Sequence, residues 1–226
     1  MSWSADIRQI KQVIRYARLV SRRGYVSNQL GNIAVRMNEP DAGDDVVYTK
    51  QRGSSLEDMT AEDVVALGLR SDRLLHGQTR PSVGYGLNRE IFLLRPDVGC
   101  VIHVHIDEAI AYFSATGENS FRFVSADAAI VLAKPVAILG PEVNVERDAS
   151  RIRDFIAGTN SFIMPNHGVT VLGSTAQEAY YRLTTLVAEV RRLLLATLLC
   201  AQLGRALPAL SADEVRSLMA LSGEIL

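Results

Sequence analysis

The amino-acid sequence predicts a three-layer α/β/α fold built on a mixed central sheet. Three observations carry that expectation. Apolar residues recur by turns at the helical period and at the strand period of two. The first two strand-like runs are joined by a hairpin-like turn, which argues against a purely parallel sheet. No repeat, low-complexity tract or linker divides the 226 residues, so one domain over residues 1–226 is expected.

The elements follow in order. Ile7, Ile10, Val13, Ile14, Ala17 and Val20 stand at helical spacing, predicting an amphipathic helix that ends near Gly24. Residues 31–37 and 46–49 read as strands, with an acidic, glycine-containing turn over 39–45 between them. Residues 59–63 look like a cap leading into a strand over 64–69. A helix is expected over 83–94, stopped by Arg95-Pro96. A buried strand over 99–105 and a helix from Asp107 to about Thr116 come next. Further strand is expected over 128–139, interrupted by Pro135, then a helix over 145–157. Residues 162–172 read as strand, and a long helix runs from Thr175 to about Leu203. Its apolar positions cover so much of its surface that packing on several sides, or at a subunit contact, is expected. Pro208 breaks it, and a short tail helix closes the chain.

Composition narrows the functional classes. The formal net charge of −1 offers no basic excess for nucleic acid or an anionic membrane. Residues 2–23 contain no continuous apolar run of the secretory type, and the longest apolar stretch, over 193–199, is too short to span a bilayer. A soluble, cytoplasmic protein is the expectation. Two cysteines, Cys100 and Cys200, make no disulfide framework and read as small core residues.

The chain has four histidines, two of them in Val101-Ile102-His103-Val104-His105. On a strand, positions i and i+2 share a face, with Cβ atoms about 6.5–7 Å apart. Two imidazoles leaning together can close on a metal at about 2.0–2.1 Å per bond. The other reading is a hydrogen-bonded core histidine, but two on one face of an apolar strand would each need a buried partner. His167 follows a second strand and sits between Asn166 and Gly168, a step that allows close backbone approach and an aimed side chain. His76, beside Gly77 in a polar loop, is expected in solvent. Three neutral imidazoles leave positions open for substrate oxygens, as in catalytic rather than structural sites. One divalent ion is expected. Zinc is the default, with manganese, iron, cobalt or nickel also compatible with imidazole.

Several segments, taken in order, resemble the class II aldolase/adducin family. They are Gly31-Asn32-Ile33-Ala34-Val35-Arg36, then Tyr48-Thr49 with Gly53, Pro81-Ser82, Arg95-Pro96-Asp97-Val98 with the His-x-His strand, and Asn166-His167-Gly168. The resemblance runs from about residue 5 to residue 200. It implies a class II aldolase-like α/β fold, a homotetramer with interfacial active sites, and a metal on His103, His105 and His167 that stabilises an enediolate of a small-molecule substrate. Asn32, Gly53 and Ser82 fall where the aldolases cradle a substrate phosphate. Lys50 and Arg52 flank that loop and are positioned to clamp a phosphate or carboxylate.

One departure stands out. The resemblance places Gly84 where family enzymes carry an acid/base glutamate, Val83 at a phosphate-binding serine and Asn88 at a common histidine. Asp107 continues the strand phase of the two histidines and is a candidate substitute, its other reading being the N-cap of the next helix. Tyr85, beside Gly84, is a second candidate, its other reading being packing. Glu90 lies roughly 240° around the helix from Gly84 and is expected to face elsewhere. The expected function is a metal-dependent lyase acting on a carbon–carbon bond of a small oxygenated, sugar-like substrate, phosphorylated or carboxylated. Aldol cleavage and decarboxylation through a metal-stabilised enolate both fit. A dehydratase or epimerase, a turnover-deficient or non-catalytic relative, and an iron oxygenase are the alternatives.

Overall fold

The computed structural model describes residues 4–140, 142–145 and 147–224. Residues 2 and 3 of the first predicted segment and residue 146 of the predicted helix over 145–157 lie outside them.

Helix α1 (Ile7–Arg22) starts at Asp6, whose side chain accepts the Arg8 N–H, and buries Ile10, Val13, Ala17 and Val20 on one face. Strands β1 (Asn32–Glu39) and β2 (Asp44–Lys50) pair antiparallel across a short 3-10 turn, Pro40–Ala42. The predicted cap is a 3-10 turn over Ala61–Asp63, with a reciprocal Thr60–Asp63 capping box, leading into β3 (Val64–Gly68). Strand β4 (Leu74–His76), not expected from the sequence, pairs with β3 at the sheet edge. It corrects the expectation for His76, which is half-buried opposite Ala66.

Helix α2 (Tyr85–Leu94) begins at Gly84 and leads to β5 (Cys100–Val104) and α3 (Asp107–Thr116). Residues 126–132 are helix α4 (Ala126–Leu132), not strand, and only Ala137–Ile138 form a strand, β6. The reason is tertiary. The fully buried Glu189 accepts the N–H groups of Val124 and Ser125 and the Ser125 hydroxyl, capping α4 from 60 residues downstream in the chain or more. The predicted helix over 145–157 is instead two 3-10 turns, Ala149–Asp154 and Ile156–Gly158. Their backbone bonds run i to i+3, from Arg151 to Asp148 and from Gly158 to Phe155, and the Asp148 side chain takes the Ser150 N–H. Strands β7 (Ser161–Met164) and β8 (Gly168–Gly173) split the predicted single strand into a hairpin, with His167 in its turn. Helices α5 (Ala176–Leu203) and α6 (Ala212–Ala220) complete the order.

The eight strands form one sheet in the order β4-β3-β2-β1-β5-β8-β7-β6, antiparallel throughout except for the parallel β6–β7 pair. The sheet is therefore mixed, as expected. Pleat alternation sends Ile33, Val35, Cys100 and Ile102 into the core under α1, α3, α4 and α5. Ala34, Val47, Val101 and Leu172 go to the opposite core under α2 and the 3-10 turns. Each fully buried aliphatic side chain contributes about 1.5–3 kcal/mol. Cys100 is fully buried and Cys200 half-buried. The second half of α5 leaves Leu195, Leu198, Leu199 and Leu203 exposed. Among the described residues no helix is long and apolar enough to cross a membrane.

Candidate metal centre

Strand β5 is central, hydrogen-bonded to β1 on one side and β8 on the other. His103 therefore sits near the end of a strand buried on both faces, and is only 2 % exposed. His105 follows one residue after the strand, on the same face by alternation. His167 arrives from the β7–β8 turn. There the N–H of His167 donates to the Met164 carbonyl across Pro165 and Asn166, and Asn166 has a φ of 64°. Proline followed by a left-handed asparagine is the type II turn pattern. Ser114 on α3 donates its hydroxyl to Asn166 Oδ1 and accepts the Asn166 N–H, fixing that turn. Gly168 is required on space: a Cβ there would stand 2.4 Å from the Val104 carbonyl.

The result is convergence. The Nε2 of His103 stands 3.0 Å from Nε2 of His105 and 3.2 Å from Nε2 of His167. Two nitrogens held about 2.0–2.1 Å from one ion, at right to tetrahedral angles, are roughly 2.9–3.4 Å apart. The separations fit a shared divalent ion. His103 Nδ1 lies 3.1 Å from Thr170 Oγ1, and Thr170 is its register partner on β8. An Nδ1–H donated to that hydroxyl leaves Nε2 with its lone pair toward the cluster. Thr170 was not legible from the sequence, because only strand register brings it to His103.

The three histidines border a cleft of about 480 Å³. Asn32, Lys50, Arg52, Gly53, Ser82 and Gly84 border the same cleft, so every residue expected at an anion site reaches it. Lys50 is buried, and its Nζ donates to the carbonyls of Gln29 at 2.6 Å and Ser54 at 2.9 Å. Burial pushes its ammonium down to about 8. Gly53 has a φ of 88°, and Arg52 is exposed at the cleft rim.

Asp107 and Tyr85 are placed elsewhere. The strand ends at Val104 and α3 begins at Asp107, so the alternation does not continue to that residue; it is exposed, and the helix cap is Ile106. Tyr85 borders a separate cavity with Asp72 and Leu74, and burial raises its phenol above the ordinary value. Glu90 faces away, paired with Arg153 at 2.7 Å.

Residues 11–193 match the sequence model described as Class II Aldolase and Adducin N-terminal domain. The chain belongs to the class II aldolase and adducin family. Within it, the chain is 24% identical over 186 residues to L-fuculose phosphate aldolase of Methanococcus vannielii, covering 81% of this chain and 94% of that one. It is likewise 24% identical over 183 residues to methylthioribulose-1-phosphate dehydratase of Klebsiella pneumoniae, covering 76% and 87%. The crystal structure of YgbL from Escherichia coli superposes with a TM-score of 0.77 at 21% identity, over 94% of this chain and 98% of that one. This class II aldolase-type fold thus brings its histidines together with a cleft that no Asp or Glu borders among the described residues.

Proposed function

We propose that the protein is a metal-dependent lyase acting on a carbon–carbon bond of a small oxygenated substrate that carries a phosphate or carboxylate. The observation that carries this reading is the convergence of three histidine Nε2 atoms on a cleft otherwise bordered by Lys50, Arg52 and short polar groups. His103, His105 and His167 would hold the ion, and zinc is the metal proposed. When bound, a divalent ion supplies Lewis acidity to the substrate oxygens that face it. Lys50, Arg52, Gly53 and Ser82 would anchor the anionic end, through two cations, a left-handed glycine and a hydroxyl. Neither cation is opposed by a carboxylate in the cleft, so each is available as a counter-ion. A homotetramer, the state implied by family resemblance, is part of the proposal.

The missing carboxylate favours reactions in which no side chain must remove a proton from carbon, decarboxylation among them. The same observation favours the second reading, a metal-binding relative that lacks turnover. Elemental analysis of protein purified without added metal, followed by assay of zinc-loaded protein on a panel of ketose phosphates and sugar-acid phosphates, separates the two. The lyase reading expects about one zinc per chain, lost in His103→Ala, and release of a carbonyl fragment or CO2 from a panel member. Zinc without release from any compound would leave the second reading standing, and stoichiometric iron would favour oxygenase chemistry.

A further inference from the structure

The exposed face of α1 is basic. The helix carries Arg8, Lys11, Arg15, Arg18 and Arg22 and no Asp or Glu. A cavity of about 560 Å³ lies between this face and the start of α5, with Gln9, Lys11, Arg15, Tyr16 and Gln177 on its border and no acidic residue. Helices α1 and α5 cover the core that holds Cys100 and Ile102, whereas His103 is in phase with Val101 of the opposite core. The cavity shares no residue with the histidine cleft.

Two buried groups distinguish it from a merely solvated basic face. Gln9 is 8% exposed, and its Oε1 is buried with no hydrogen-bond partner among the described residues. The Gln9 amide donates to Asp6, which fixes Nε2 on that side and leaves Oε1 as the end still to be satisfied. Tyr16 is 6% exposed and packs on Tyr180 with ring centroids 5.8 Å apart. Its hydroxyl bonds no protein group among the described residues. Buried polar atoms are costly to leave unpaired, so an open acceptor and an open donor on one cavity call for a ligand. The cations beside them are available. Arg8 is paired with Asp6, but Lys11 and Arg15 have no acidic partner among the described residues. The Arg15 guanidinium stands 5.6 Å over the Tyr16 ring. Gln177 adds a backbone N–H in the first turn of the 28-residue α5, at the positive end of its dipole.

We propose that this cavity is a second ligand site, for a small phosphate monoester that also carries a free hydroxyl. The phosphate oxygens accept from Lys11, Arg15 and the Tyr16 hydroxyl, in charge-assisted bonds. The ligand hydroxyl donates to Gln9 Oε1, the one contact that a bare anion cannot supply. Sulfate at neutral pH has acceptors only, and would set lone pair against lone pair there. The inference stands apart from the metal cleft and from the reaction proposed for it.

The test reads Lys11 directly. The full chain is treated with limiting acetic anhydride, with and without glycerol 3-phosphate, and acetylation of each lysine is followed by mass spectrometry. Lys134 borders neither cavity and is the internal reference. Saturating glycerol 3-phosphate is expected to slow acetylation of Lys11 about threefold or more and to leave Lys134 unchanged. Tyr16→Phe keeps the ring and removes the hydroxyl, and should raise the concentration for half-protection about tenfold. Sulfate at matched ionic strength should likewise need about tenfold more than glycerol 3-phosphate, a preference that Gln9→Leu erases. An unprotected Lys11 in the wild type would overturn the site. Sulfate as effective as the ester, or protection unchanged in Tyr16→Phe, would mean that the exposed cations hold anions unaided, and would overturn it too. A preference over sulfate that survives in Gln9→Leu would overturn the role given to Oε1. If Gln9→Leu fails to fold, Tyr16→Phe and the sulfate comparison in the wild type decide the matter.

Discussion

Asn32 Nδ2 lies 2.5 Å from the point where a Cβ on Gly84 would stand, so the two positions cannot both carry their own side chain without movement. Restoring a glutamate in Gly84→Glu is therefore expected to displace Asn32 and break its bond to Asn88, at about 1–3 kcal/mol. Removing the obstacle in Asn32→Ala should relieve the crowding. The double variant is then expected to be less destabilised than the sum of the singles, by at least about 0.5 kcal/mol. Urea denaturation of the four proteins measures this, and strict additivity would show that the two positions do not compete for space.

Thr170 makes a second coupling measurable. Its hydroxyl stands 3.1 Å from His103 Nδ1 on a neighbouring strand. Partners of this kind orient a ligand imidazole, and their loss typically weakens metal binding about 10–100-fold. Thr170→Val keeps the β-branched shape and removes the hydroxyl. Zinc affinity by chelator competition is expected to fall about tenfold or more, while His103→Ala abolishes tight binding. Equal affinity in Thr170→Val and wild type would mean that the hydroxyl does not set the imidazole.

Glu189 holds α4 from a distance. It is fully buried on α5, accepts two backbone N–H groups and the Ser125 hydroxyl, and is paired with Arg192 at 3.2 Å. Glu189→Ala leaves those donors unanswered in an apolar setting. A loss of about 3–5 kcal/mol is expected, the scale of breaking a buried charge-assisted network. Glu189→Gln, which retains one acceptor oxygen, should lose less. Thermal unfolding ranks the three, and a neutral Glu189→Ala would remove this account of α4.

These contacts mark where the sequence was legible. His103 and His105 were readable as a pair because strand alternation is a local rule, and α1 and α3 because their apolar spacing is local too. His167 became legible with the ordered motifs around it. Residues 126–132 carry apolar residues compatible with either period, and it is Glu189, more than 50 residues away in the chain, that makes them helix. Thr170 and Asn88 contribute through register and packing, which no spacing in the sequence expresses. Asp107 shows the converse failure. Strand alternation carried on from His105 would put Asp107 on the histidine face, but the strand ends at Val104.

Lys50 gives the pH dependence. Its Nζ is held by the Gln29 and Ser54 carbonyls, and burial brings its pKa to about 8. In the unfolded chain a lysine titrates at about 10.4. Between those values the unfolded chain retains a proton that the folded chain has released, so Lys50 adds stability as pH rises through that window and nothing below it. The increment is on the order of 3 kcal/mol at most, at about 1.4 kcal/mol per unit. The stability of wild type relative to Lys50→Met should therefore climb between pH 8 and pH 10. Anion binding has the opposite sign, because the ammonium is the counter-ion and is lost above pH 8. Sulfate, which does not titrate in this range, should bind the wild type about tenfold more weakly at pH 9.5 than at pH 7, and Lys50→Met weakly at both. Sulfate affinity that is equally pH-dependent in Lys50→Met would assign the effect to another group. Affinity that is flat in the wild type would mean that Lys50 ties the loops over 29–31 and 51–55 together without meeting the ligand.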